Sequence, residues 1–194
     1  SVFQDGLSYQ GGSFDFLGIN YYGRYLTRFA PDRPGMAFGR FVQEPTVRTD
    51  SADWGQPSPA GLVATLKRAA GLGRPLYVSE NGVFDPTDAL RCHYLVEHLR
   101  ALQVAASEGM PVRGYFHWSL VDNFEWAQGW TTPFGLVALD PVTQARRARP
   151  SAHLLAEVAR RNRLPAELAE CADPVTLARA WQQAAKDPYE RQPA

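Results

Sequence analysis

Residues 14–20 read FDFLGIN, residues 75–80 read PLYVSE, and residues 112–118 read VRGYFHW. Each is a short run of mainly apolar, β-branched or aromatic side chains, which is typical of a buried strand. Helical patterns lie between them, over residues 59–70 and about 86–108, with apolar side chains three or four positions apart. The order strand, helix, strand, helix, strand predicts an α/β fold with parallel pairing of the three strands.

The regions around these elements divide the chain into a main body and an appendage. Residues 134–140 predict a further short strand, and residues 150–162 predict a helix. Residues 28–59 are rich in Pro, Gly and Asp and too long for a simple connection, so we expect an insertion over one face. Residues 163–194 hold two short amphipathic runs and a polar tail. We therefore expect a main body over residues 1–162 and an appendage after it.

Composition excludes several classes of protein. Of the 194 residues, 45% are hydrophobic, which is enough for an ordinary core and excludes a disordered chain. Lys and Arg number 20, as do Asp and Glu, so we expect neither nucleic acid nor a membrane as a partner. The basic cluster RRAR at residues 146–149 is expected to be a solvated entrance to the next helix. No apolar run approaches the roughly 20 residues of a membrane span.

The sequence also shows no motif for targeting or for cofactor binding. Residues 1–10 lack the basic start and apolar run of a secretory signal, so we expect a cytoplasmic location. Cys92 and Cys171 do not stand at zinc-ligand spacing, and His93 and His98 do not share a helix face. We therefore expect reduced thiols, no metal and, since no Gly-rich phosphate loop occurs, no cofactor.

The ends of the predicted strands carry side chains suited to carbohydrate binding. Ligands of parallel α/β folds sit beyond the carboxyl ends of the strands, where Asn20, Glu80 and Trp118 lie. The loop WSLVDNFEW at residues 118–126 adds two indoles, which stack on sugar rings, and two carboxylates, which accept bonds from hydroxyls. A single strand-ending Glu is more often solvated, and a Trp pair is more often core. The convergence of three strand ends favours a sugar pocket.

Three motifs resemble those of glycoside hydrolase family 1, the β-glucosidase family. They are SENG at residues 79–82, NYY at residues 20–22, and the loop at residues 118–126. The similarity extends over about residues 14–162. It implies a (β/α)8 TIM barrel and retaining hydrolysis of β-glycosides such as oligosaccharides.

The resemblance assigns the reacting groups residue by residue. Glu80 matches the nucleophile, which would form a covalent glycosyl-enzyme. Tyr22 matches the tyrosine that orients this carboxylate, and Asn20 lies beside it at the sugar.

The remaining matches belong to sugar binding. Trp118 corresponds to the stacking platform, Glu125 to the residue that holds two hydroxyls, and Trp126 to a further hydroxyl contact. The carboxylate of Glu125 also favours an unphosphorylated sugar, because a phosphate would meet like charge there. Phe134 is expected to wall the site and Trp54 to lie near the aglycone entrance.

The second carboxyl group of a retaining glycosidase is not found in this sequence. The family supplies this acid/base from an Asn-Glu-Pro motif before the NYY strand, and no Asn-Glu-Pro occurs here. Gln43-Glu44-Pro45 is only an echo, since it follows that strand. A full barrel needs about 250 residues. The chain thus resembles the last three β/α units of an incomplete barrel, and we expect it to be a poor enzyme alone.

Three hypotheses remain open. The chain is the C-terminal part of a family 1 β-glycosidase, a non-catalytic sugar-binding or assembly protein, or a decayed fragment without a role. Besides a β-glycoside, the expected partner is an N-terminal barrel half, or a second copy paired through open strand edges.

Overall fold

The computed structural model describes residues 14–37, 39–42 and 54–165. Within these residues it contains strands and helices in the following order. They are β1 (Leu17–Asn20), β2 (Leu26–Phe29), β3 (Gly39–Val42), α1 (Pro59–Ala70), β4 (Leu76–Asn81), α2 (Ala89–Ser107), β5 (Val112–His117), β6 (Val137–Leu139), β7 (Arg146–Ala148) and α3 (Pro150–Arg161). None of these helices has both the length and the apolar character needed to cross a membrane.

Strands β1, β4 and β5 form a parallel sheet in which β4 is central. Leu76 of β4 pairs with Leu17 of β1 on one side and with Val112 of β5 on the other. Helix α1 connects β1 to β4 and helix α2 connects β4 to β5, as parallel neighbours require. The predicted parallel pairing is therefore confirmed, although β1 begins later than the predicted start at Phe14.

Helices α1 and α2 pack on one face of this sheet and form the core with it. Ser58 caps α1, because its Oγ accepts a hydrogen bond from the Gly61 N–H, and Pro59 suits the first turn. The core is built almost entirely of aliphatic side chains from the sheet and the helices. They include Ile19, Leu62, Leu66, Leu76, Val78, Leu95, Val96, Leu99, Leu102, Leu136 and Leu154.

Helix α2 begins later than predicted because a buried polar network occupies the turn before it. Asp85 accepts hydrogen bonds from the backbone N–H groups of Thr87 and Arg91. Arg91 has no exposed surface and pairs with Asp88, whose φ of 67° lies in the left-handed region. A residue in that conformation cannot continue a right-handed helix, so the helix starts after it.

The opposite face of the sheet is uncovered in the described part of the chain. Phe16 and Phe116 on this face are 57% and 59% exposed. Tyr77 packs edge-on against Phe16 with 5.2 Å between ring centroids. A closed barrel would bury this face and would pair the free edges of β1 and β5. The described residues therefore form a partial barrel.

Two antiparallel hairpins differ from the sequence prediction. Strands β2 and β3 pair at the start of the expected insertion, whose residues 43–53 lie outside the described range. Strands β6 and β7 also pair, so residues 146–148 form a strand. All three residues are exposed and α3 begins at Pro150, so the expected solvated entrance to the next helix holds for these three. Strand β6 is shorter than the predicted residues 134–140. The helix predicted over residues 150–162 is confirmed as α3.

Of the two cysteines, only Cys92 lies within the residues that the structure describes. Cys92 is a buried free thiol on α2. Burial, together with the charge of Asp88, raises its pKa, so this thiol stays protonated. Cys171, the Gln-Glu-Pro echo at residues 43–45 and most of the expected appendage, residues 166–194, lie outside the described residues.

Candidate active site

The carboxyl ends of the three parallel strands meet at one edge of the sheet. Asn20, the last residue of β1, lies opposite Glu80 of β4. The Tyr21 N–H donates to the Glu80 carbonyl at 2.9 Å, and the Trp118 N–H donates to the Asn81 carbonyl at 2.9 Å. The three segments that the sequence singled out are therefore neighbours in space.

Tyr22 and Glu80 are joined by a short hydrogen bond. The Tyr22 hydroxyl donates to Glu80 Oε2 at 2.6 Å, and both side chains are half-buried. Burial, the bond to Glu80 and the negative charges of Glu80 and Glu125 all raise the pKa of Tyr22. The phenol therefore remains a donor at any ordinary pH and holds one oxygen of the carboxylate in place.

Asn20 is exposed beside this pair and is oriented by a neighbour on the central strand. The Ser79 hydroxyl donates to Asn20 Oδ1 at 2.8 Å. Because the carbonyl oxygen accepts this bond, the amide N–H groups of Asn20 remain as its hydrogen-bond donors at this edge of the sheet.

Glu125 is held by the loop that follows β5. It is only 3% exposed, and its Oε2 accepts a hydrogen bond from Asn123 Nδ2 at 2.7 Å. Asn123 Oδ1 in turn accepts a bond from the Ser119 hydroxyl at 3.0 Å. The loop thus presents a buried carboxylate close enough to Tyr22 for its charge to raise the pKa of the phenol.

Asp122, the other carboxylate of this loop, is a structural group. Both of its oxygens accept bonds from the Arg149 guanidinium, at 2.9 and 2.8 Å, and Oδ1 also accepts from the Gly135 N–H. Arg149 is 8% exposed. Two expectations are therefore corrected: Asp122 does not offer its carboxylate to a sugar, and Arg149 is a buried ion-pair partner instead of a solvated residue.

The two indoles of the loop differ in exposure. Trp118 is half-buried, and its peptide bond to Ser119 is cis. Its carbonyl lies so close to Gly82 that a Cβ there would be 1.9 Å from the oxygen. Trp126 directly follows Glu125 and is 81% exposed, so most of its ring is available to a ligand.

The rings of Trp54 and Phe134 pack against Tyr22 and form an aromatic cluster with it. Trp54 is half-buried with its ring centroid 6.2 Å from that of Tyr22, and Phe134 packs edge-on against Tyr22 at 6.0 Å and Trp54 at 5.2 Å. Phe134 has no exposed surface. The expectation that Phe134 walls the site is thereby changed, because this ring supports Tyr22 and Trp54 without itself facing a ligand.

The described residues leave the site open. A recess beside Tyr22, Trp54 and Phe84 has a volume of only about 10 Å³, which admits a single water and no sugar ring. Among the residues that the structure describes, no group of three or more His, Cys, Asp or Glu side chains is placed to hold a metal ion. A ligand at Glu80 would need further walls.

Sequence reasoning placed Asn81 at a strand end and Tyr94 on a helix that matches the family, but it assigned no role to them or to Tyr115, and these three residues hold the site together. Asn81 has no exposed surface and makes hydrogen bonds with the hydroxyls of Tyr94 and Tyr115. Simple alternation from the core residues Leu76 and Val78 would place Asn81 on the open face of the sheet. The register shift of β4 after Val78 places it towards the helices instead, where a buried amide needs partners, and the sequence carries no signal for that shift.

The strand ends thus carry a tyrosine-held carboxylate beside a buried carboxylate, a half-buried indole and an exposed indole, which suits a β/α protein that binds carbohydrates. Comparison with known families identifies the particular family within this class. Residues 4–164 match Glycosyl hydrolase family 1, and the chain belongs to that family. The resemblance predicted from the three motifs is thereby confirmed.

Several relatives share the matched region. The beta-galactosidase of Sulfolobus acidocaldarius is 39% identical over 164 residues, which cover 79% of this chain and 33% of that protein. The beta-glucosidase A of Thermotoga maritima is 35% identical over 173 residues, or 84% of this chain and 38% of that protein. The solved beta-glycosidase from Pyrococcus horikoshii superposes with a TM-score of 0.71 at 36% identity, over 79% of this chain and 36% of its own. The chain spans about a third of the length of these relatives.

Proposed function

We propose that this chain is the C-terminal part of a retaining β-glycosidase, with the last three β/α units of the barrel in residues 1–162 and an appendage in residues 163–194. The hydrogen bond between Tyr22 and Glu80 carries the proposal. A half-buried carboxylate held by a phenol at the strand ends is oriented for attack on a bound group. A surface carboxylate with no binding or catalytic role would gain little stability from such a hydrogen bond.

In this proposal Glu80 is the nucleophile and Tyr22 orients it. The Tyr22 hydroxyl occupies Oε2, which leaves Oε1 to attack the anomeric carbon. The new bond joins C1 to Oε1 while the bond from C1 to the glycosidic oxygen breaks, and that oxygen takes a proton from the acid/base. Water then attacks C1, gives a proton to the same acid/base, and releases Glu80 as a carboxylate.

The sugar would be bound by the polar and aromatic groups around Glu80. Asn20 would donate to a hydroxyl, Glu125 would accept from two, and Trp126 would add a contact. Trp118 would stack on the ring. The negative charge of Glu125 favours an unphosphorylated β-D-glycoside, because a phosphate at a buried carboxylate would be repelled.

The aglycone would leave past the aromatic cluster. Trp54 contacts Tyr22 and keeps part of its ring exposed, which suits it to the entrance on the leaving-group side. Phe134 would fix the positions of both rings from behind, since it is fully buried.

The proposed partner is the N-terminal part of the same kind of barrel, on this or another polypeptide. It would cover the exposed aromatic side chains of Phe16 and Phe116, pair with the edges of β1 and β5, and supply the acid/base. The 194 residues of this chain include no Asn-Glu-Pro, so general acid catalysis worth about 10²–10⁴-fold would come from that part. The competing partner is a second copy of this chain, paired through the same edges of β1 and β5.

The test mixes the purified chain with an N-terminal part of a family 1 enzyme and measures hydrolysis of a nitrophenyl β-glucoside. We expect turnover by the mixture, little by either component, and none when the chain carries Glu80→Gln. Turnover that survives Glu80→Gln would refute the assignment of the nucleophile. Light scattering of the chain alone separates a monomer from a paired dimer.

A second function is favoured by the missing acid/base. In that case the chain is a sugar-binding or assembly protein that keeps Glu125 buried and held by Asn123 but turns nothing over. A mixture that binds glucose with loss of binding in Glu125→Gln, yet shows no turnover with any N-terminal part, would support this function.

A further inference from the structure

We infer that Tyr94, on the outer helix α2, is a positioning residue that holds Tyr22 against Glu80 through a bond to the Tyr22 carbonyl, and that Asn81 in turn holds Tyr94. The inference rests on the proposed role of Glu80 and extends it to a helix on the other face of the sheet. Three hydrogen bonds outside the reacting pair carry it, one of them buried and two partly buried.

Tyr22 lies beyond the end of β1 and is held there by side chains. Strand β1 ends at Asn20. After it, the Tyr21 carbonyl accepts a bond from Asn81 Nδ2 at 2.6 Å, and the Tyr22 carbonyl accepts a bond from the Tyr94 hydroxyl at 2.8 Å. The backbone position of Tyr22 therefore depends on hydrogen bonds that reach it through the sheet from the helix layer.

Asn81 uses both amide protons and its amide oxygen in this arrangement. Its two amide protons go to the Tyr21 carbonyl and, at 2.7 Å, to the Tyr94 hydroxyl, while its Oδ1 accepts from the Tyr115 hydroxyl at 3.0 Å. The side chain has no exposed surface. A buried network with every member satisfied is rigid, and its bonds reinforce one another.

The donors of this network all point the same way. The Tyr115 hydroxyl donates to Asn81, Asn81 donates to the Tyr94 hydroxyl, and that hydroxyl donates to the Tyr22 carbonyl. Removal of the Tyr94 hydroxyl therefore breaks the sequence in the middle. It leaves the Tyr22 carbonyl and one Asn81 proton without their partners.

The two ends of Tyr22 are thus held by consecutive residues of β4. Glu80 holds the phenol, and Asn81, through Tyr94, holds the carbonyl. Glu80 and Asn81 point to opposite faces of the strand, so Tyr22 is held from both the reacting face and the helix face. A small shift of α2 would therefore change the geometry of the hydrogen bond between Tyr22 and Glu80.

The test follows the Tyr22 phenol by NMR in the full chain labelled with ¹³Cζ-tyrosine. The Tyr22 signal is identified by its loss in Tyr22→Phe, and its displacement on Glu80→Gln measures the contact with Glu80. We expect this displacement to fall to about half or less in a Tyr94→Phe background. Tyr21→Phe is the matched control, since it removes a phenol that donates to the Ser58 carbonyl at 2.9 Å, and it should leave the displacement unchanged.

The outcomes separate the inference from the function on which it rests. A full displacement in Tyr94→Phe, equal to that in Tyr21→Phe, overturns the positioning role even if thermal stability falls. If Glu80→Gln moves the Tyr22 signal in no background, the contact itself is absent and the proposed function loses its basis. Should Tyr94→Phe fail to fold, Tyr115→Phe replaces it, with a smaller reduction expected and an unchanged displacement contradicting the inference.

Discussion

Replacement of Arg149 with Met tests whether the loop that carries Glu125 depends on a buried ion pair. Arg149 donates to both oxygens of Asp122 and to the Gly135 carbonyl. Asp122 also accepts from the backbone N–H groups of Gly135 and Leu139. Methionine fills much of the same volume without a donor. The variant therefore leaves the Asp122 carboxylate, with 11% of its side chain exposed, without its countercharge.

The magnitude follows from the burial of both partners. Removal of one partner of a buried ion pair costs about 3–5 kcal/mol, because the remaining charge is uncompensated. In a domain of this size each kcal/mol lowers the melting temperature by roughly 2–4 °C, so the expected decrease is on the order of 6–20 °C. Asp122→Asn in the same background should recover part of this loss, since the amide carries no charge to strand.

The assay is urea unfolding followed by tryptophan fluorescence, with Arg147→Met as the matched control. Arg147 lies two residues earlier, in strand β7, and is exposed, so its replacement should change the free energy of unfolding by no more than about 0.5 kcal/mol. Equal effects of Arg149→Met and Arg147→Met would refute the reasoning. They would mean that Arg149, like Arg147, is solvated.

Three further predictions concern the core and the strand ends. Gly82→Ala places a Cβ 1.9 Å from the Trp118 carbonyl oxygen, and we expect urea unfolding to show a loss of about 1–3 kcal/mol. Burial lowers the pKa of His98 to about 4. Below the unfolded-state pKa of about 6.5 the unfolded chain binds a proton that the native chain does not. The free energy of unfolding therefore decreases as the pH falls from about 6.5 towards 4. Urea titrations at several pH values should show that this pH dependence is smaller by about 1.4 kcal/mol per pH unit in His98→Gln. An unchanged pH dependence would contradict the burial of a neutral imidazole. Because burial raises the pKa of Cys92, a Cys171→Ser chain should not react with a thiol reagent at pH 8 until urea unfolds it, and rapid native reaction would place the thiol at the surface.

The parallel sheet could be predicted from the sequence because its strands carry local signals. The runs that become β4 and β5 are apolar or aromatic and are bounded by Pro, Gly or polar residues, and the helices between them repeat every three to four residues. Strands β2, β3 and β7 lack such signals. They are short and largely exposed, and β7 consists of two arginines and an alanine, so only pairing with another strand defines them.

The contact between Tyr22 and Glu80 could be predicted only through the family motifs, since the two residues are far apart in sequence. The roles of Asp122 and Arg149 could not be predicted, because an acidic loop residue near two indoles and a basic residue near a helix are equally compatible with solvent. Their pairing depends on the fold of β6 and β7, which brings the Gly135 N–H and the Arg149 side chain to the same carboxylate. The same holds for Asn81, whose partners come from α2 and β5.

The most direct test of the account is covalent labelling of the chain, combined with an N-terminal part, by a dinitrophenyl 2-deoxy-2-fluoro-β-glucoside. This leaving group departs without protonation, so the first step requires the nucleophile and little help from the acid. Mass spectrometry of the digested chain should find the fluoroglucosyl mass on the peptide that contains Glu80, with no label in Glu80→Gln and slower labelling in Tyr22→Phe. A label on any other carboxylate, or a mixture that hydrolyses substrate while Glu80 stays unlabelled, would contradict the account.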